Sequence, residues 1–319
     1  MSALNYSFEF DIVPVPPYNF DMTVRNPAGW HLFTPFEVHE NGVLWTATHM
    51  SSALFGFRLS SKGSVEDPGI TVRVFLGEAG SAVEREEIQR LVRKTLGADR
   101  DLKEFYSIAR NDSILKHAVE HLYGMQDSFP LEIFPDAVLA ILLQMAPLKR
   151  SNEMIASFIQ NYGEPAEFDG RKIYTWPTPD AVSGVSAEEL AERCRVGYRA
   201  KNLVNLARRL SEGGFPSTEQ LEAMEPENAK KKLLELPGIG DYSADIINPH
   251  GGFPIDVWSA EVFGKLFFEK EPKNNREAVD KVKREGLKRW GRWSWMAFFY
   301  IVQDLPNLSE KLGKRLRLT

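Results

Sequence analysis

The chain has 319 residues, 43% hydrophobic and 11% aromatic, enough to bury one large core or two to three smaller ones, which excludes a disordered protein. Its longest apolar stretch, near residues 137–143, falls well short of the roughly 20 residues a spanning helix needs, and no basic-then-apolar leader opens it, so a soluble, cytoplasmic protein with no membrane partner is expected. A single cysteine, Cys194, excludes an internal disulfide, a multi-cysteine zinc site and an iron–sulfur cage, and a net charge of −5 weighs against a nucleic-acid partner.

From about residue 8 to 76 the pattern is short and β-like. Residues 20–24, 42–46, 55–59 and 70–75 are rich in β-branched and aromatic side chains, with turn formers such as Asn41-Gly42 and Asp67-Pro-Gly69 between them, and predict an antiparallel sheet. From Ser81 the period becomes helical, opening on the capping-box pattern Ser81-x-x-Glu84 and ending near Gly97. Further helices are predicted at 101–110, 113–122, 135–145, 151–162, 186–193, 200–210, 226–235, 241–247, 257–267, 276–288 and 294–303. Strands followed by helices define an α+β chain, with an N-terminal β-sheet module over 1–98 and a mostly α-helical body over 99–319. Charge is unevenly spread: 201–209, 281–292 and 311–317 are locally basic, while acids gather elsewhere, as in Glu84 to Glu87. Each basic run reads equally well as a solvated helix face.

The most informative segment is Leu236-Pro-Gly-Ile-Gly-Asp-Tyr-Ser-Ala-Asp-Ile-Ile247, followed by Phe253-Pro-Ile-Asp-Val-Trp258. It describes a hairpin of two helices over about 226–247, joined by a tight turn at Gly238, Ile239 and Gly240, and then a loop at 253–258. The glycines let the backbone approach another molecule closely, and the turn N–H groups with the positive end of the second helix suit an anion such as a phosphate. Taken alone, a Gly-x-Gly between helices would serve equally as a helix C-cap.

The segment resembles the hairpin of the helix-hairpin-helix (HhH-GPD) DNA glycosylase superfamily, where a Leu-Pro-Gly-Ile/Val-Gly turn precedes a Pro-Val-Asp segment bearing the catalytic aspartate. Four more segments resemble family pieces in the family's order: Asp101-Leu-Lys-Glu-Phe-Tyr106, the helix 135–145 ending Leu143-Gln144-Met145, Gly197-Tyr-Arg-Ala-Lys201, and Trp290-Gly-Arg-Trp-Ser-Trp-Met-Ala297 running on to Gln303-Asp-Leu305. The N-terminal sheet fits the TBP-like module of the alkyl-purine and 8-oxoguanine branches. The resemblance implies base-excision repair of double-stranded DNA, in which a damaged base is flipped out and Asp256 stabilises the oxocarbenium-like sugar. Asp256 is also placed to N-cap the helix that follows, a compatible role.

Two residues after Gly240, where the 8-oxoguanine branch holds a nucleophilic lysine, stands Tyr242, as an aromatic residue does in the AlkA-type alkyl-purine branch. This implies a monofunctional enzyme that uses water and lacks lyase activity, with Lys201 or Lys265 as the alternatives for a nucleophile. Alkylation places a positive charge on a purine, and Tyr242, Trp258 and Trp295 are the candidate aromatic faces of the base pocket. Ile255-Asp-Val-Trp258 and Gln303-Asp-Leu305 look closer to the oxidised-guanine branch, which adds Asp304 to the pocket and keeps oxidised or deaminated purines as an alternative substrate. The resemblance further implies a DNA wedge at Met145, or else Leu148; a backbone grip by Gly238, Ile239, Gly240 and Tyr242; and DNA contacts at Arg199 and Lys201. It implies no cofactor beyond a structural monovalent cation at the hairpin, a monomer, and the nucleoid as location in a prokaryote. Two readings come from other classes. A non-catalytic hairpin protein gripping damaged DNA would have no need of Asp256, and a helical interaction domain unrelated to DNA would make five ordered matches accidental.

Overall fold

The structure, a computed structural model, describes residues 2–25, 36–50, 53–77, 83–127, 132–268 and 275–316. The chain opens with β1 (Ser2–Ala3) and β2 (Tyr6–Ile12), passes through α1 (Phe20–Arg25), and continues in β3 (Val38–Glu40), β4 (Val43–Met50), β5 (Ala53–Gly63) and β6 (Pro68–Leu76). An antiparallel sheet of order β2-β6-β5-β4-β3 results. Alternation decides which face is buried: Phe55, Phe57 and Leu59 of β5 and Ile70, Val72 and Val74 of β6 all enter one core. The helix α2 (Arg85–Thr95) closes that core with Ile88 and Val92.

Residues 20–24 are helical, not a strand as their composition suggests. The Asn19 side chain accepts the Met22 N–H at 3.1 Å, and the Thr23 hydroxyl donates back to the Asn19 carbonyl at 2.7 Å. Local side-chain bonds therefore override β propensity, and Phe20 and Val24, four residues apart, turn together into the sheet's core. The helix α2 starts from Glu84, whose side chain makes no cap bond. Ser81, the other half of the expected capping box, lies outside the described residues.

The body continues with α3 (Lys103–Asn111), α4 (Leu115–His121), α5 (Ile133–Leu143) and α6 (Leu148–Tyr162), then β7 (Pro165–Phe168) and β8 (Arg171–Tyr174), and then α7 (Pro179–Ser183), α8 (Ala187–Cys194), α9 (Arg199–Ser211) and α10 (Thr218–Glu222). It ends with α11 (Pro226–Leu233), α12 (Asp241–Ile247), α13 (Val257–Phe267), α14 (Asn275–Trp290), α15 (Ser294–Gln303) and α16 (Leu305–Leu312). The β7–β8 hairpin escapes the sequence reading, although the Asp169-Gly170 dipeptide between its strands is a turn signal. β1 pairs parallel to β7, so a second small sheet, β1-β7-β8, ties the N-terminus to the helical body. The short helices α7, α10 and α16 were likewise not predicted.

The helical body has two apolar cores. One is built by α5 to α12, including Leu236 and Ile239 of the hairpin turn. The other is built by α3, α4 and α13 to α16, and takes in Phe253 and Ile255. The chain crosses from the first core to the second over residues 248–256, and Trp295 packs against both. The segment bearing Asp256 is thus the seam between the two halves. No helix among the described residues is long and apolar enough to cross a membrane.

Candidate active site

Asp256 is the N-cap of α13. Its Oδ1 accepts the Ser259 N–H at 2.8 Å, the Trp258 N–H at 3.1 Å and the Ser259 hydroxyl at 2.8 Å, while its own N–H donates to Ser259 Oγ at 2.8 Å. This is a reciprocal capping box. Ile255 on one side and Ser259 on the other are buried, so the carboxylate is half-buried and held in one orientation. All the side-chain bonds it accepts within the described residues fall on Oδ1.

Tyr242, in the first turn of α12, packs against the core that holds the hairpin. Burial pushes its phenol well above the ordinary value, and the negative charge of Asp256 adds to the shift. The two candidates thus share one environment. The turn before Tyr242 is tight: Gly238 has φ +81°, and a β-carbon there would lie 2.7 Å from Asn202 Cβ of α9. Gly240 caps α12 with no side-chain bond, leaving the first-turn N–H groups without side-chain acceptors.

The wedge candidate stands beside this turn. Gln144 ends α5, and Met145 follows in a left-handed conformation, φ +49°, with 59% of its surface exposed. The Gln144 amide donates to the Gly238 carbonyl at 2.9 Å and to Ser243 Oγ at 2.8 Å, so Met145 is fixed relative to the hairpin. Gln144 was not a candidate from sequence, since nothing local marks it. Arg199 is buried and donates to the Gln144 carbonyl, with its guanidinium 4.6 Å over the Tyr198 ring. It therefore acts on the Met145 turn, whereas Lys201 is exposed on α9. Leu148 begins α6. The Gly238 carbonyl serves Gln144 and the Leu236 carbonyl accepts Ile239 N–H at 3.1 Å, so a hairpin cation would have to share carbonyls already engaged.

Of the aromatic candidates, Trp258 is 38% exposed next to Asp256. Trp295 lies deeper, its indole N–H donating to Asp127 Oδ2 at 2.7 Å and its ring stacked near Phe298 and Phe299. Asp304 is only 1% exposed and is held by His121 Nδ1 at 2.5 Å and Asn307 Nδ2 at 2.8 Å. Burial raises its carboxyl, against the pull of Asn307 and His121. Lys265 is ion-paired with Glu261 at 2.5 Å on the outer side of α13.

A charge lattice missed by sequence reading supports the hairpin. Lys230 of α11 lies 2.6 Å from both Asp241 and Asp245, and Lys283 of α14 pairs with the same two, 2.6 Å from Asp245. The four-residue spacing of the aspartates on α12 was the available signal.

The fold defines a two-core helical body, joined to an antiparallel sheet, with a glycine hairpin and a helix-capping aspartate at the seam. The family model for "HhH-GPD superfamily base excision DNA repair protein" matches residues 138–295, and the chain belongs to that superfamily of DNA glycosylases, which hydrolyse N-glycosidic bonds. Among curated relatives it is 24% identical, over 69% of this chain and 73% of theirs, to the DNA-3-methyladenine glycosylase of Bacillus subtilis. The fold is similar to that of the 3-methyladenine DNA glycosylase from Archaeoglobus fulgidus, with TM-score 0.73, 20% identity and coverage of 96% of this chain and 100% of that one. It is similar also to the 8-oxoguanine glycosylase/lyase of Clostridium acetobutylicum, with TM-score 0.69, 18% identity and coverage of 94% and 99%.

Proposed function

We propose that this glycosylase is monofunctional: it extrudes an alkylated purine from double-stranded DNA and hydrolyses its bond to deoxyribose with Asp256 and a water molecule. The observation that carries this reading is the Asp256 carboxylate, with Oδ1 committed to the helix cap, electrostatically coupled to a half-buried tyrosine where the family's lyases hold lysine. As the bond from C1′ to the base nitrogen breaks, the electron pair leaves with the base and positive charge develops on the sugar. A fixed carboxylate stabilises that charge, and water adds to C1′, losing its proton to the carboxylate or to solvent. A base already carrying a positive charge from alkylation departs neutral, which makes it the easiest leaving group.

Without an amine at position 242 no Schiff base forms, and the abasic strand stays intact. The name of the Bacillus relative supports an alkylated purine as substrate. Met145 is the side chain that fills the gap left in the stack, and the backbone at Gly238, Ile239, Gly240 and Tyr242 grips a phosphate. The chain acts as a monomer on duplex DNA.

The test is single-turnover base release from duplexes carrying an alkylated, oxidised, deaminated or undamaged base, developed with and without alkali. Release of the alkylated purine, with strand breaks only after alkali, is expected. Tight duplex binding with no excision would instead make the chain a damage-binding protein, and breaks without alkali would show a lyase.

A further inference from the structure

A cavity of about 290 Å³ lies where α5, α15 and the segment leaving α12 meet, lined by Trp295, Ile246, Asn248 and Gly251. Asp256 and Tyr242 are not among its walls; Ile246 is one turn beyond Tyr242 on α12, and Gly251 is five residues before Asp256. One wall is the Trp295 ring, fixed by Asp127 and by Phe298 and Phe299.

The lining charges can be counted. Each cation has its own carboxylate: Lys94 with Glu222 at 2.6 Å, Arg100 with Asp127, and Arg292 with Glu104. Asp136, in the first turn of α5, is the remaining carboxyl on the wall, and its Oδ1, closed off from solvent, has no hydrogen-bond partner among the described residues. A buried acceptor left unmade costs about 1–3 kcal/mol, so a partner that the carboxyl can turn to meet on the cavity side would be favoured.

We propose that this cavity receives the extruded base and that Asp136 is a specificity-determining residue, selecting purines that carry a positive charge by pairing with them against the Trp295 face. The inference rests on the glycosylase reading and adds the group that discriminates among lesions. A cationic ring stacked on an indole and facing a carboxylate is favoured by both, whereas a neutral purine gains only the stacking. Burial raises the Asp136 carboxyl above the usual carboxylate range, with Glu132 one turn earlier adding to the shift. Entry of a cation draws off its proton to solvent. The preference for cations therefore grows with pH until Asp136 is ionised in the empty cavity, then levels off. The other titratable groups facing it are the three ion pairs above and His250, whose Nε2 lies 3.1 Å from the Leu221 carbonyl.

The test uses the full chain in two arms. In the first, Trp fluorescence is followed on titration with 7-methylguanosine, a cationic nucleoside below neutral pH, or with inosine, its neutral counterpart. Wild type is expected to prefer the cation by roughly tenfold or more, increasingly as pH rises, and Asp136→Asn to lose both the preference and its pH slope while inosine binding is unchanged. Equal loss for both nucleosides in Asp136→Asn, or a preserved preference, overturns the proposal. In the second arm, excision of 7-methylguanine and hypoxanthine from duplexes is compared between the same proteins. Excision by wild type at an unaltered lesion ratio in Asp136→Asn overturns the assignment of Asp136 alone. Absence of any excision, with the nucleoside preference intact, would overturn the glycosylase reading and with it the cavity's role as base pocket. Equal unfolding temperatures for the two proteins exclude misfolding.

Discussion

Asp256 has two separable jobs, and two substitutions divide them. Asparagine keeps an oxygen that can accept the Trp258 and Ser259 N–H bonds at 3.1 and 2.8 Å but removes the charge; alanine removes both. A carboxylate about 4 Å from a cationic sugar, at an effective dielectric near 20, is worth about 4 kcal/mol, or roughly a thousandfold in rate. The cap itself is worth about 1 kcal/mol, which at about 2.1 cal/mol/K of unfolding entropy per residue moves the unfolding temperature of this 319-residue chain by about 1–2 °C. Asp256→Asn should therefore lose roughly a thousandfold in single-turnover excision at almost unchanged unfolding temperature. Asp256→Ala should lose at least as much activity and also melt about 1–2 °C lower. Differential scanning fluorimetry and burst kinetics on one lesion duplex suffice. If Asp256→Asn excises within about tenfold of wild type, the carboxylate does not meet the transition state, and if it melts as low as Asp256→Ala, the cap was misread.

Tyr242→Lys puts an amine into the environment of Asp256, and borohydride should then trap a covalent complex with lesion-bearing DNA that wild type does not form; trapping in wild type would refute the monofunctional reading. Met145→Gly releases a left-handed side-chain conformation, φ +49°, so stability should hold or rise by about 0.5–1 kcal/mol while excision falls, and a variant excising at the wild-type rate would remove the wedge. Gly252→Ala would push a β-carbon to 2.7 Å from Asp245 Cβ and 2.9 Å from its Cα, so chemical denaturation should show a loss of about 1–3 kcal/mol; no loss would mean the segment before Asp256 yields freely. Burial works to raise the Asp241 carboxyl, but Lys230 and Lys283 outweigh it and hold it below the usual range. A depressed acid contributes stability above its unfolded value and loses it as pH falls through the folded one, so Lys283→Met should flatten the acid limb of the unfolding-temperature profile, and an unchanged limb would show that the lattice does not support folding.

How much of this was legible depended on whether the governing contacts were local. The bounds of α12, α13 and α15 follow from hydrophobic period and caps within a few residues, and the prediction meets the structure there. Asp256 as a cap was legible for the same reason. Residues 20–24 misled because Asn19, just outside the segment, sets the turn. Gln144 and Asp136 looked like ordinary members of an apolar helix: the role of Gln144 depends on Gly238, 94 residues away, and the isolation of Asp136 appears only once the other wall charges are seen paired. Asp304, assigned to the pocket by resemblance, has a partner 183 residues away in His121 that no local pattern announces.

The same distinction bears on the acidic balance of the chain, which at first weighs against a polyanionic partner. Mobile ions screen exposed charges beyond about 8–10 Å, so a phosphate at the hairpin feels the charges around that turn and little of the total. There the sequence places Asp241 at the very start of α12, which in isolation would repel a phosphate from the helix's positive end. The structure pairs it with Lys230 and Lys283, and these also take up Asp245, so two cations and two anions close into a neutral group beside the turn. The proposed grip on a phosphate then rests on the backbone dipoles at the start of α12, since the Ile239 N–H is already taken by the Leu236 carbonyl. Part of the basic run at 281–292 is spent on this internal neutralisation through Lys283, and more through Arg289 with Glu285 and Arg292 with Glu104. A local surplus of lysine and arginine in sequence is therefore no count of free cations in this chain, and the proposed hairpin grip has to be judged by the charges immediately around the turn.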